Sequence, residues 1–178
     1  MSDIGQFKSK YNQYKDTFKS TSYDSENEFY LCTDESQDVI NFDMIIENNY
    51  PDSNRRPKSF DAIYIRENIV YCIEFKNQKP SKIKNSEIQE KLEHGKDELI
   101  TLLQKENIDT SDLTFIYAVV YRECKSNRDK FKCGVVQSQI EFGLQKYKDS
   151  GFVKDVFTSD VAFFTRAFKL KEKKELAC

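Results

Sequence analysis

Hydrophobic residues follow two different periods along this chain. Over residues 4–18, Ile4, Phe7, Tyr11, Tyr14 and Phe18 recur at steps of three and four, the spacing of one helical face. Residues 36–48, SQDVINFDMIIEN, fit two patterns. Val39, Phe42, Ile45 and Ile46 share a helical face, while VINFDMII also reads as a strand. NNYPDSNRRPKS, with two prolines among Asn, Asp and Ser, predicts a loop. Two runs rich in Ile, Val, Tyr and Phe predict strands at about 60–66 and 69–77, separated by a polar break at Arg66, Glu67 and Asn68. QKPSKIKNS is a loop, and Asn85 or Ser86 then caps a helix to about residue 105. Ile88, Leu92, Gly95, Leu99 and Leu102 give that helix one apolar stripe, with Gly95 allowing close approach to a neighbour. LTFIYAVVY at 113–121 predicts a central strand. QSQIEFGLQKYKDSG predicts a shorter helix ending at Gly151, FVKDVF a last strand, and Ser159 a cap for a final helix, DVAFFTRAFKLKEKK. Strands alternating with helices predict an α/β fold of the α+β, mixed-sheet kind. At 178 residues the chain is expected to form a single domain over 1–178.

Composition narrows the class. Apolar residues are 38% and charged residues 33% of the chain, and ten tyrosines and fourteen phenylalanines supply bulky core material, so a globular protein is expected. The net charge of −2 provides no global basic field, so a nucleic-acid partner would have to be held by a local patch. The cysteines Cys32, Cys72, Cys124, Cys133 and Cys178 are odd in number, and none lies at zinc-site spacing. Reduced thiols are expected, with Cys72 buried as a small apolar residue. MSDIGQFKSKYNQYK lacks the apolar core of a signal peptide, and no apolar run approaches membrane-spanning length. These features predict a cytoplasmic protein without a membrane partner. Export by a route that needs no such signal stays open, as does the oligomeric state, a dimer being one alternative.

Candidate chemistry is concentrated in the two adjoining strands, SFDAIYIRENIVYCIEFKNQ. A turn centred on Glu67–Asn68 opposes Ile65 to Val70, Ile63 to Cys72 and Asp61 to Glu74. Side chains alternate between the faces of a strand. Asp61, Ile63, Ile65, Val70, Cys72, Glu74, Lys76 and Gln78 therefore share one face, and Ala62, Tyr64, Tyr71, Ile73 and Phe75 the other. Directly opposed residues have Cβ atoms roughly 5 Å apart, so the carboxylates of Asp61 and Glu74 repel unless a cation intervenes. A hard divalent ion suits them, because carboxylate oxygens are its preferred ligands. Lys76 can offset charge, orient a water or hold a phosphate.

These residues resemble the PD-(D/E)XK nuclease superfamily: an Asp at the start of one strand, a short hairpin, then Glu-x-Lys at the end of the next, here Asp61 and the EFK of Glu74–Lys76. The likeness covers about residues 57–121. It implies a restriction-endonuclease-like αβββαβ core, with extra C-terminal helices and a strand, and a nuclease dependent on Mg²⁺ or Mn²⁺ that hydrolyses phosphodiester bonds in DNA or RNA. Asp61, Glu74 and the main-chain carbonyl of Phe75 would hold the metal. Asp61, Glu74, Lys76 and Gln78 would form the catalytic set, Gln78 extending the motif to E-x-K-x-Q. The family's acidic residue on the first core helix would be Glu47, with Glu28 the alternative. Phe60 stands where the family has Pro, and no Q-x-x-x-Y follows on the next helix.

E-x-K occurs three times, at Glu74–Lys76, Glu123–Lys125 and Glu172–Lys174, but only Glu74 sits inside an apolar strand with an opposed Asp. Arg55, Arg56 and Lys58 precede Asp61, and Lys79 and Lys82 follow the second strand. Their convergence is expected to make a phosphate-binding rim for nucleic acid. The only histidine, His94, lies off the helix stripe and has no evident triad partner. No dinucleotide or P-loop fingerprint is present. The rival expectation is a non-catalytic interaction module on the same fold, such as an immunity or regulatory protein, which the acidic net charge suits.

Overall fold

The computed structural model describes residues 3–123 and 140–172. Cys124, Cys133 and Cys178, the lysines at 125 and 174, and residues 137–139 of the QSQ stretch lie outside them. The elements in order are α1 (Asp3–Lys10), β1 (Lys15–Thr17), α2 (Phe18–Thr21), β2 (Tyr23–Asp24), β3 (Phe29–Tyr30), β4 (Asp38–Asn41), α3 (Phe42–Asn49), β5 (Ala62–Arg66), β6 (Ile69–Lys76), α4 (Asn85–Lys105), β7 (Thr114–Tyr121), α5 (Gln145–Asp149), β8 (Asp155–Asp160) and α6 (Val161–Glu172).

Six strands form one mixed sheet in the order β1-β4-β5-β6-β7-β8. The first three pairings are antiparallel and the last two, β6 with β7 and β7 with β8, are parallel. Helices cover both faces. Ile4 and Phe7 of α1, Phe42, Ile45 and Ile46 of α3, and Ile88, Leu92 and Leu99 of α4 pack on one face with Ile63, Ile65, Val70 and Cys72. Phe18, Phe164 and Phe168 pack on the other with Ala62, Tyr64, Tyr71, Ile73 and Phe75. The central strands β6 and β7 are thus buried on both sides, which is why they read as near-continuous apolar runs.

The stripe of α4 packs as expected, with Ile88, Leu92, Gly95, Leu99 and Leu102 all buried. A Cβ at Gly95 would lie 2.6 Å from a ring carbon of Phe60 and 3.3 Å from its backbone nitrogen. Only glycine permits that approach. The helix begins at Asn85, and neither Asn85 nor Ser86 caps it: the N-cap position is Lys84, which makes no side-chain capping bond.

Other boundaries differ from the pattern. The first helix ends at Lys10 instead of running to Phe18. Lys15–Thr17 pair with Asp38–Ile40 as an edge strand, and this carries Phe18 around to the opposite core. The helical spacing of Ile4, Phe7 and Phe18 therefore joined residues that belong to two different cores. The ambiguous segment 36–48 is both readings in succession. β4 ends at Asn41, whose side chain accepts the Met44 N–H at 3.1 Å and starts α3. β8 extends to Asp160, so Ser159 is buried in the strand, and Asp160 caps α6 by accepting the Phe163 N–H at 2.8 Å. Cys72 is buried and free, but Cys32 is disulfide-bonded, against the expectation of reduced thiols throughout. Pairing depends on proximity in the fold, which cysteine spacing in a sequence does not supply. Among the described residues no helix is long and apolar enough to cross a membrane.

Candidate functional site

The β5–β6 hairpin has the expected register, from Arg66 opposite Ile69 to Ala62 opposite Ile73. Asp61 stands one residue before β5. Its backbone carbonyl accepts the Phe42 N–H at 3.0 Å, and its Oδ2 accepts the Phe75 N–H at 2.5 Å. The side chain is thereby tied to the end of β6. Glu74 is on the same face, beneath α4 and with no solvent exposure.

Two residues of α4 complete the polar end of the strand. Glu87 and Lys91 are four residues apart and so share a helix face, the one bordering Ile88 and Leu92. Lys91 Nζ lies 2.8 Å from Glu74 Oε1 and 3.4 Å from Asp61 Oδ1. It also donates to Glu74 Oε2 at 3.0 Å. Lys76 Nζ bridges Glu74 Oε1 at 3.1 Å and Glu87 Oε1 at 2.5 Å. Asp43, in the first turn of α3, accepts a hydrogen bond from the Ser59 hydroxyl. A cavity of about 340 Å³ opens over this cluster, and five carboxylates but only two ammonium groups line it.

Burial penalises the charged form of each group, and the neighbours decide how far. Burial, then repulsion from Asp61, pushes the Asp43 carboxyl up to about 6. Glu74 is also pushed up, first by burial and then by Asp61, while Lys91 and Lys76 oppose the shift. With both ammonium groups within 3.1 Å, the ionised carboxylate is the form the geometry fits. Burial would lower Lys91, but attraction to Glu74, Asp61 and Asp43 outweighs it and holds its ammonium well above the ordinary lysine range. The hydrogen bond from Lys76 holds Glu87 below its ordinary value.

Asp61, Glu74 and Lys76 therefore come together at one place. Gln78 lies two residues beyond β6, exposed along the cavity wall, which Phe75 also lines. Glu47 does not reach the cluster: it is exposed and paired with Arg56 at 2.6 Å. Glu28 is exposed on the turn between β2 and β3. The acid that α3 contributes is Asp43, because the cap at Asn41 sets the helix phase. Phe42, Ile45 and Ile46 turn into the core and Asp43 falls beside them. Asn41 was the signal that could have identified it. For Glu87 and Lys91 the signal was their position flanking the apolar stripe.

The basic rim is not assembled as expected. None of Arg55, Arg56, Lys58, Lys79 and Lys82 lines the cavity. Arg55 pairs with Asp52, Arg56 with Glu47 and Lys58 with Glu90. Lys79 and Lys82 are exposed at the short turn after β6. The cavity wall comes instead from β2, where Asp24 accepts a hydrogen bond from Asn77 at 3.1 Å. His94 is exposed on α4.

No group of three or more His, Cys, Asp or Glu side chains is arranged to hold a metal among the described residues. What the site has is two carboxylates converging on one cation, the Lys91 ammonium. Glu74 Oε1, entirely buried, makes ion-pair contacts but no hydrogen bond. An all-oxygen donor set suits Mg²⁺ or Mn²⁺, and Mg²⁺ commonly takes only one or two carboxylates and keeps its waters. The residues present fit such an ion. Comparison with known proteins adds no identity. No family model, curated protein or solved structure matches this chain.

Proposed function

We propose that the chain is a divalent-metal-dependent nuclease, a Mg²⁺- or Mn²⁺-requiring phosphodiesterase acting on DNA or RNA, on a restriction-endonuclease-like core. The observation that carries this is the convergence of Asp61 and Glu74 on a single cation position at the end of β6, with Lys76 against the same Glu74 oxygen. The order of elements supports it, since α1, β4, β5, β6, α4 and β7 occur in αβββαβ order, with β1, α2, β2 and β3 between α1 and β4 and α3 between β4 and β5.

A bound divalent ion would lower the pKa of an attacking water and offset phosphate charge. The chain's own residues supply the rest. Asp61 and Glu74 would hold the ion, and the Phe75 N–H fixes the orientation of Asp61. Lys76, steered by Glu87, orients the water and stabilises charge developing on the phosphate. Gln78 and Phe75 line the same cavity; Gln78 would face the substrate and the Phe75 carbonyl would be a third oxygen ligand.

A cleavage panel of single- and double-stranded DNA and RNA, with Mn²⁺ or EDTA, tests the proposal. Cleavage should require Mn²⁺ and fall by about two orders of magnitude or more in Lys76→Ala, the usual scale for losing one electrostatic stabiliser. Metal binding should survive in that variant. Unchanged cleavage by Lys76→Ala would remove Lys76 from the mechanism, and no cleavage of any substrate would refute the activity. A specific observation favours the second reading, a non-catalytic interaction module: carboxylates outnumber ammonium groups five to two along the cavity, and the basic residues near it are paired within the chain. Partner binding without metal-dependent cleavage would select it.

A further inference from the structure

We infer that Lys91 is a tethered counter-ion that occupies the metal position and must withdraw before a divalent cation can bind. The inference rests on the metal-site reading above and adds a control on it. Lys91 approaches Glu74 and Asp61 at 2.8–3.4 Å, so its ammonium stands at the point where the two carboxylates would share an ion. Like charges cannot both occupy that point. The buried Glu74 Oε1 faces two ammonium groups, Lys91 at 2.8 Å and Lys76 at 3.1 Å. Withdrawal of Lys91 would leave that buried oxygen facing the vacated position with only Lys76 beside it.

Lys91 also has somewhere to go. Its side chain keeps 18% exposure and opens onto the 340 Å³ cavity, whose wall includes Glu87 and Asp43. Glu87 is one helical turn away on α4, so a rotamer change can move the ammonium to an acidic neighbour without moving the helix. Divalent affinity is then set by competition. The resting site is self-neutralised, and an entering ion must displace a cation that is present at high effective concentration.

Titration of the full chain with Mn²⁺, followed by calorimetry on wild type and Lys91→Met, tests this. Lys91→Met should bind at least about tenfold more tightly. Wild-type binding with equal or weaker binding by Lys91→Met overturns the inference and leaves the metal-site reading intact. Binding by Lys91→Met alone supports the inference and removes the metal-dependent reading of the natural protein. Binding by neither removes both. Lys91→Met leaves two carboxylates facing each other, so a second measurement uses the natural chain: the ¹⁵N signal of the Lys91 ammonium during Mg²⁺ addition. The protected signal should be lost or shifted at the concentration where Mg²⁺ binds. A signal unchanged up to saturating Mg²⁺ overturns the inference.

Discussion

At the scale of single residues, the site is a set of buried charges whose balance depends on proton and cation occupancy. Asp43 shows the consequence most simply. Its folded carboxyl is pushed up from 3.8 to about 6, so the native state holds a proton that the unfolded chain has released. Stability of the metal-free protein therefore falls as pH rises from about 4 to about 6, and the loss persists above that range. Asp43→Asn abolishes the penalty while keeping an acceptor for Ser59. At pH 7 it should be more stable than wild type by on the order of 1–3 kcal/mol, with the difference vanishing below about pH 4. Urea midpoints measured in EDTA across that range check this, and parallel profiles would contradict it. The residues on the hairpin were legible in the sequence because a strand has period two and the turn position sets both faces. Asp43 and Lys91 were not, because each reaches the site from a helix whose rotation relative to the sheet is absent from its local pattern.

Among elements, α4 couples core packing to the site. Gly95 brings the helix against Phe60, which is fully buried and stacked on Phe42 with ring centroids 4.6 Å apart. Phe60 has no room to retreat, and the next residue is Asp61. Gly95→Leu should therefore destabilise by on the order of 1–3 kcal/mol through overpacking. It should also weaken metal binding by shifting Asp61 against Glu74. Thermal unfolding and a Mn²⁺ titration measure the two effects, and a neutral result in unfolding would mean that the helix does not seat where the structure has it. The stripe of α4 was readable because all its apolar residues face one sheet. The N-terminal segment reads as one helix from its spacing, but its apolar residues are divided between two cores by the three-residue strand β1, a division that only its pairing with β4 determines.

For the whole molecule, the site lies where the sheet changes from antiparallel to parallel pairing, at the carboxyl end of β6, a favoured location for ligands in open sheets. The alternation of strands and helices was legible from hydrophobic periodicity. The distribution of charge was not. A net charge of −2 and two basic stretches said nothing of the pairing of Arg56 with Glu47 and Lys58 with Glu90, which leaves an acidic cavity that attracts cations before phosphates. The cluster's function turns on whether a divalent ion takes the place between Asp61 and Glu74. A crystal soaked in Mn²⁺ and examined by anomalous scattering answers this directly. The expected result is one peak about 2.1 Å from oxygens of both Asp61 and Glu74, with the Lys91 ammonium displaced toward Glu87. An empty map there, with Lys91 still bridging the two carboxylates, would contradict the metal site and the nuclease mechanism built on it.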